Sequence, residues 1–425
     1  MDRNEYIRTL TDEAVQLLKE MVAIPSPSFS EEAVCDHISG WMKDKGVAHE
    51  RIGNNIIAEH INEPSMPVLM LCAHIDTVSP VEGYGFDPYK PDYQEAAKAV
   101  STFIGRTVRP EDMVAGLGSN DDGASAVAMT AAYRYFTETS IRECRGVQDN
   151  PSHSFGAGPS PCGQGGSTVL NTSALPDGGP DGTYPNLVLV LTCEEERSGK
   201  GGMTGLWGTE LCSREQPVEG CRIVDMAIIG EPTGMKAATS ERGLLVIDAT
   251  AHGISGHAAR NEGRNALYIA VEDIARIRSH EFGRISPEMG KVNLNVTQIN
   301  AGSAHNVVPD RCDFVIDIRP TEQYANEELL AELQGICESR LKPRNLGNRS
   351  SATRPESLLR KTAGNLGIET FSSPTTSDWM RIGCDAVKMG PGDSARSHRK
   401  NEFVLVSEIA DGIETYIEFI DHLKQ

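Results

Sequence analysis

Two residues close the apolar run VLMLCA at 68–73: His74 and, one apolar residue later, Asp76. Strand side chains alternate with period two, so these two would face the same side. An imidazole beside a carboxylate is either a satisfied core pair or a metal ligand with the partner that orients it. Four other polar stretches come after apolar runs. GLGSNDDGASA (116–126) sets Asp121 at the mouth of a small-residue helix, with Asp122 next; a helix cap would explain that equally well. TCEEERSG (192–199) puts three glutamates directly after a strand, either as solvated loop charge or with one on a metal and one facing substrate. In IIGEPTG (228–234) Glu231 ends a strand whose pairing Pro232 stops. In GPGDSARSHRKNEF (390–403) His398 comes after a glycine turn. Each stretch alone has an ordinary structural explanation. Taken together, His74, Asp121, the glutamates, Glu231 and His398 suit a pair of Zn²⁺ ions with N/O ligation and a bridging carboxylate. Two-metal sites of that kind serve hydrolysis.

The elements that must position these residues alternate between strand and helix. VLMLCAHID, NLVLVLTCEE and VDMAIIGEP read as buried strands, and GASAVAMTAAYRYF (123–136) as a helix. That alternation predicts an α/β fold with a mostly parallel sheet flanked by helices. Ligands gather at the carboxyl ends of the strands in such sheets. From about residue 241 the rhythm becomes βαββαβ, with its last short strand expected near 342–350. The division is then a discontinuous large domain (1–240 and 351–425) and an inserted α+β domain (241–350). Residues 137–184 carry a Gly, Ser and Pro-rich tail without a period and read as a flexible insertion.

With 425 residues, 24% charged and 39% hydrophobic, the chain has the profile of a soluble globular protein of about two domains. A formal net charge of −20 argues against nucleic acid and anionic membrane as partners. No apolar run reaches the roughly 18–20 residues of a membrane span. The N-terminus lacks the pattern of a signal peptide, and the cysteines form no CxxC pair, so a cytoplasmic protein is expected.

In order, the polar stretches are H-x-D, G-x-G-x-x-D, E-E, G-E-P-T, G-x-x-G-H and a histidine after G-P-G. This set resembles the M20 family of dinuclear zinc peptidases and amidohydrolases over essentially the whole chain. GLGSNDDGASA, AARNEGRNA and GPGDSARSH are most similar to its N-acetylornithine deacetylase branch. The resemblance implies that His74, Asp121 and Glu231 hold one Zn²⁺, that Asp121 bridges to a second completed by Glu196 and His398, and that Co²⁺ can substitute. It implies that Asp76 orients His74 and that Glu195 is the general base. A slip of one residue would exchange the roles of Glu194, Glu195 and Glu196. Asp122 is expected to point away from the metals.

The inserted domain would be a lid through which two copies form a homodimer, with His257 of AHGISGHAARNEGRNA (251–266) reaching the neighbouring site. Asn306 and Arg319 match lid positions that contact substrate, and Arg319 suits an α-carboxylate; a strand-end salt bridge is its alternative. Arg396 would serve the same carboxylate. The implied activity is removal of the acyl group from an N2-acyl amino acid, N-acetylornithine first, in arginine biosynthesis. Acetylcitrulline, a succinylated ornithine or a dipeptide are alternative substrates. A non-catalytic, metal-stabilised binding protein is the alternative of another class.

Overall fold

The computed structural model describes residues 2–148, 184–260 and 262–423. The chain divides into two compact units. One comprises Met1–Ala237, Arg354–Thr370 and Ile382–Gln425; the other comprises Ala238–Thr353 and Phe371–Arg381.

The first unit is built on a mixed sheet. Its strands run, side by side, Glu50–Ile52, Asn55–His60, Asn186–Thr192, Val68–His74, Met226–Ile229 and Asp385–Lys388. The last four are mutually parallel, while the two edge strands pair antiparallel. Val68–His74 and Asn186–Thr192 are buried along their whole length. That is why they read as continuous apolar runs: both faces of the sheet are covered. The long N-terminal helix Arg3–Val22, the helix Gly123–Gln148 and the closing helix Val406–His422 pack with the sheet into one core.

The parallel register explains how distant stretches meet. His74 lies opposite Thr192, and Cys72 lies opposite Ile229. The segments that leave these strands, and the one after Lys388, therefore all emerge at one rim of the sheet. The helix expected over 123–136 runs on to Gln148. The insertion expected from residue 137 thus begins as a continuation of a small-residue helix, and its Gly/Ser/Pro-rich tail lies outside the described residues.

The second unit is a four-stranded antiparallel sheet in the order Asn293–Ala301, Arg311–Arg319, Leu245–His252, Arg340–Pro343. The helices Ala266–Ser279 and Asn326–Ile336 share its apolar core. Along Leu245–His252 and Arg311–Arg319, buried apolar residues alternate with more open ones, as a sheet covered on one face requires. The final strand starts at Arg340, ahead of the 342–350 expected, because Arg340–Pro343 already pairs with Ile247–Thr250. Residues 371–381, which read as part of the large domain, belong to this unit; Ser377 donates at 2.7 Å to the buried Glu241.

Candidate metal centre

At the rim of the first unit's sheet, His74 Nε2 lies 3.2 Å from Asp121 Oδ1. His398 Nε2 lies 2.9 Å from Glu196 Oε1 and 3.7 Å from Asp121 Oδ2. The two oxygens of Asp121 thus face two different histidines, the position of a bridging ligand. Among the described residues, two sets of side chains could each hold a metal ion: His74, Glu195 and Glu231, and His74, Asp121 and Glu196. Each set offers ligand atoms within 4.8 Å of one another.

Local sequence makes this approach possible. Gly118, at φ +79, turns the loop ahead of Asp121, and a Cβ there would sit 2.6 Å from Thr77 Cγ2. Gly230, just before Glu231, is packed so closely that a Cβ would lie 2.6 Å from Ser125 Cβ and 2.7 Å from Asp122 Oδ2. Asp122 itself is buried under that backbone and belongs to neither set. Burial raises its carboxyl pKa to about 8.

The three consecutive glutamates diverge. Glu194, at φ +59, aims its carboxylate back at the glycine turn and accepts from Gly201 N at 2.7 Å. Glu195 groups with His74 and Glu231, and Glu196 groups with His74 and Asp121 and pairs with His398. What holds the latter two is Asp76. Its Oδ1 accepts from Glu195 N at 3.0 Å, and its Oδ2 accepts from Glu196 N at 3.2 Å and from Ser28 Oγ at 2.7 Å.

These amide contacts come in addition to the role expected for Asp76, which is to orient His74. His74 Nδ1 lies 2.9 Å from the backbone carbonyl of Asp76 and 3.5 Å from its carboxylate, which supports a charged His74 while it also organises the glutamate loop. The spacing H-x-D shows which residue types share a face, but not which backbone amides the carboxylate will find. Glu402 gave no signal in the sequence. Its buried carboxyl accepts from Asn120 N and Asp121 N, both at 3.0 Å, and so clamps the loop that carries Asp121.

Charge is crowded here. Burial pushes the Glu231 carboxyl well above the usual range; Lys388 opposes the shift, while Asp121 and Glu195 add to it. Burial works against a charged His74, yet hydrogen bonds to Asp121 and Asp76 outweigh it and raise its pKa well above the ordinary value. The Glu196 hydrogen bond lifts His398 to about 9. Several carboxylates pressed together out of water, with imidazoles between them, form a donor set that fits divalent cations.

The remaining expected residues lie elsewhere. In the second unit, His257 sits on a two-residue strand paired with Val307–Val308, and Asn306 O accepts from Ala258 N at 3.1 Å, so His257 and Asn306 are neighbours. Both side chains are exposed. Arg319 is eight residues along its strand from Arg311, roughly 26 Å. Arg311 pairs with His252, at the end from which the His257 ribbon departs. Arg319 and His257 therefore occupy opposite ends of the sheet within one protomer. The Arg319 fork engages Asp317 of its own strand at 2.9 and 3.2 Å, which is the salt-bridge alternative. Arg396, in the first unit, also differs from expectation. Its two terminal nitrogens bind Glu408 at 2.6 and 2.8 Å, and its guanidinium lies over Phe403. The fork that would grip a substrate carboxylate is filled by the protein itself.

Residues 239–345 match the M20 peptidase dimerisation domain. A dinuclear metal binding peptidase of the M20 family from Bacillus subtilis superposes with a TM-score of 0.60 at 14% identity, over 98% of each chain. The chain has the M20 peptidase fold. Within that fold, an acetylornithine deacetylase from Myxococcus xanthus is 26% identical over 245 residues, 52% of this chain and 61% of that one. A succinyl-diaminopimelate desuccinylase from Corynebacterium glutamicum is 23% identical over 421 residues, 95% of this chain and 94% of that one. The match to the Myxococcus enzyme thus spans less than two thirds of its length. Among the described residues no helix is long and apolar enough to cross a membrane.

Proposed function

We propose that the protein is a dinuclear-zinc amidohydrolase that removes the acyl group from an N2-acyl amino acid. The observation that carries this reading is the convergence of His74, Asp121, Glu196 and His398 at one sheet rim, with Glu195 and Glu231 beside His74. In this reading His74, Asp121 and Glu231 hold one Zn²⁺; Asp121, Glu196 and His398 hold the other. When bound, such an ion pair polarises an acyl carbonyl and brings the pKa of a water down toward about 7.

The chain's own residues supply the rest. The Glu195 carboxylate holds the proton taken from the water and returns it to the nitrogen of the departing amine. Asp76 keeps Glu195 and Glu196 apart by fixing their amides separately. Glu194, tied to the glycine turn, takes no part. His257, exposed on its ribbon, is available as a donor to a developing oxyanion in a partner copy, in keeping with the dimerisation-domain match. Homodimerisation through that domain, a cytoplasmic location and a place in arginine biosynthesis belong to the same proposal.

The relatives' names leave acetyl and succinyl groups both in play. Measuring release of amine from N-acetylornithine, N-acetylcitrulline and N-succinylornithine, with metal content determined on the same samples, tests the reading. Hydrolysis of at least one, abolished by chelation and restored by Zn²⁺, is expected. A metal-loaded protein that cleaves none of them, nor a dipeptide, would overturn it in favour of a non-catalytic binding role.

A further inference from the structure

A cavity of about 500 Å³ opens in the first unit between the helix Tyr93–Ile104 and the loop that carries His398. Its size falls within the roughly 300–1,000 Å³ of ligand pockets, and is far more than an acetyl group fills. Its body is apolar: Val81, Val100, Phe103 and Phe403 supply the walls. Phe403 is buried and meets the ring of Phe103 edge-on at 5.8 Å, yet Phe103 remains 55% exposed. Phe103 thus presents an open apolar face in the lining of the cavity.

The cavity and the candidate metal centre share a wall, because His398 lines the one and contacts Glu196 of the other. The chemistry of the rim is one-sided. Arg399 and Lys400 line it, both are exposed, and no carboxylate does. Neither has an ion-pair partner among the described residues, whereas the nearby Arg396 is neutralised by Glu408. In a protein of net charge −20 this is a local inversion of sign. Asn401 fixes the loop by accepting from Gly85 N at 2.6 Å, so the rim is built into the fold.

We propose that this cavity is the chain-length and charge filter of the site: it takes the acyl chain of the substrate, an apolar spacer of several carbons that ends in an anion. The proposal rests on the amidohydrolase reading and narrows it. The preferred substrate is an N-acyl amino acid with a dicarboxylic acyl group, in preference to an acetyl group, and a cationic chain is disfavoured there.

The test compares N-acetyl-, N-hexanoyl- and N-adipoyl-ornithine as substrates of the zinc-loaded full chain, together with calorimetric binding of adipate and hexanoate. Adipoyl should be the best substrate, and adipate should bind more tightly than hexanoate. The surface double substitution Arg399→Ser with Lys400→Ser should cut the adipoyl-to-hexanoyl ratio of kcat/KM by about tenfold, within the range that two rim charges supply. Phe103→Ala should cut the hexanoyl-to-acetyl ratio. Unchanged ratios in both variants would overturn the proposal. If acetylornithine is cleaved but adipate does not bind, the filter fails and the hydrolase reading stands. If no amide is cleaved but adipate binds and the double variant loses it, the hydrolase reading fails and the cavity stands.

Discussion

The two units treat charge in opposite ways. On the open face of the second unit's sheet, Arg311 pairs with Asp313 and Arg319 with Asp317, two residues apart on one strand, and Arg344 pairs with Asp248 across the sheet. At the sheet rim of the first unit, Asp121, Glu195, Glu196 and Glu231 crowd around two histidines, and burial raises Glu231 far from its ordinary pKa. The paired surface is self-sufficient and contributes little stability either way. The crowded rim is costly by itself and becomes favourable once cations enter. A charge cluster that does not satisfy itself is thus informative about function, and a balanced one is not.

Substitutions at the rim should have the largest effects. Asp121→Asn should lower kcat/KM by roughly 10³-fold or more and reduce metal content, since one side chain would serve both ions. In chelator Glu231→Gln should be no less stable than the parent, because burial and the neighbouring carboxylates already hold that carboxyl well above its ordinary pKa. A clear fall in its metal-free Tm would break the contrast between the units. Glu195→Gln should lower kcat by roughly 10²–10⁴-fold while metal content stays at two per protomer; a parallel loss of metal would make Glu195 a ligand.

Zinc should raise the Tm of the parent protein. At a free concentration a hundred times Kd the gain is about 2.7 kcal/mol. Asp317→Asn in the second unit should change stability by about 1 kcal/mol or less and leave metal content untouched.

The smallest effect concerns a paired carboxylate away from the rim of the first unit. Glu13 binds Lys45 Nζ at 2.6 Å and Arg134 Nη1 at 2.5 Å. Burial opposes its ionisation, but these hydrogen bonds prevail and depress its pKa. A depressed folded-state pKa means stability that is present above the unfolded pKa and lost as pH falls through the folded one. The stability gap between the parent and Glu13→Gln should therefore be level from pH 7 to 5 and shrink below about pH 4. A gap that grows on acidification would contradict the assignment.

Much of the rim was legible because its residues punctuate apolar strands. His74, Glu231 and the glutamate triplet come after runs too hydrophobic to be anything but core, and parallel pairing brings such strand ends together. The contacts that make the arrangement work were less visible. Asp76 clasps amides more than a hundred residues away, and Glu402 clamps Asn120 and Asp121 across some 280 residues. Spacing carries no trace of either. Arg396 and Arg319 carry contacts that spacing hides in the same way. An arginine near a site reads as a substrate anchor until the partner carboxylate, Glu408 or Asp317, is seen in place. The helix reaching Gln148 was hidden by the Gly, Ser and Pro-rich composition of the segment beyond it, whereas the polar but helix-compatible residues 137–148 propagate the helix already begun at Gly123.

The most direct test of the central claim is anomalous X-ray diffraction at the zinc edge from crystals of the zinc-loaded protein. The account predicts two peaks per protomer. One should lie among His74, Asp121 and Glu231, and the other among Asp121, Glu196 and His398. A single peak, or peaks away from these side chains, would contradict it.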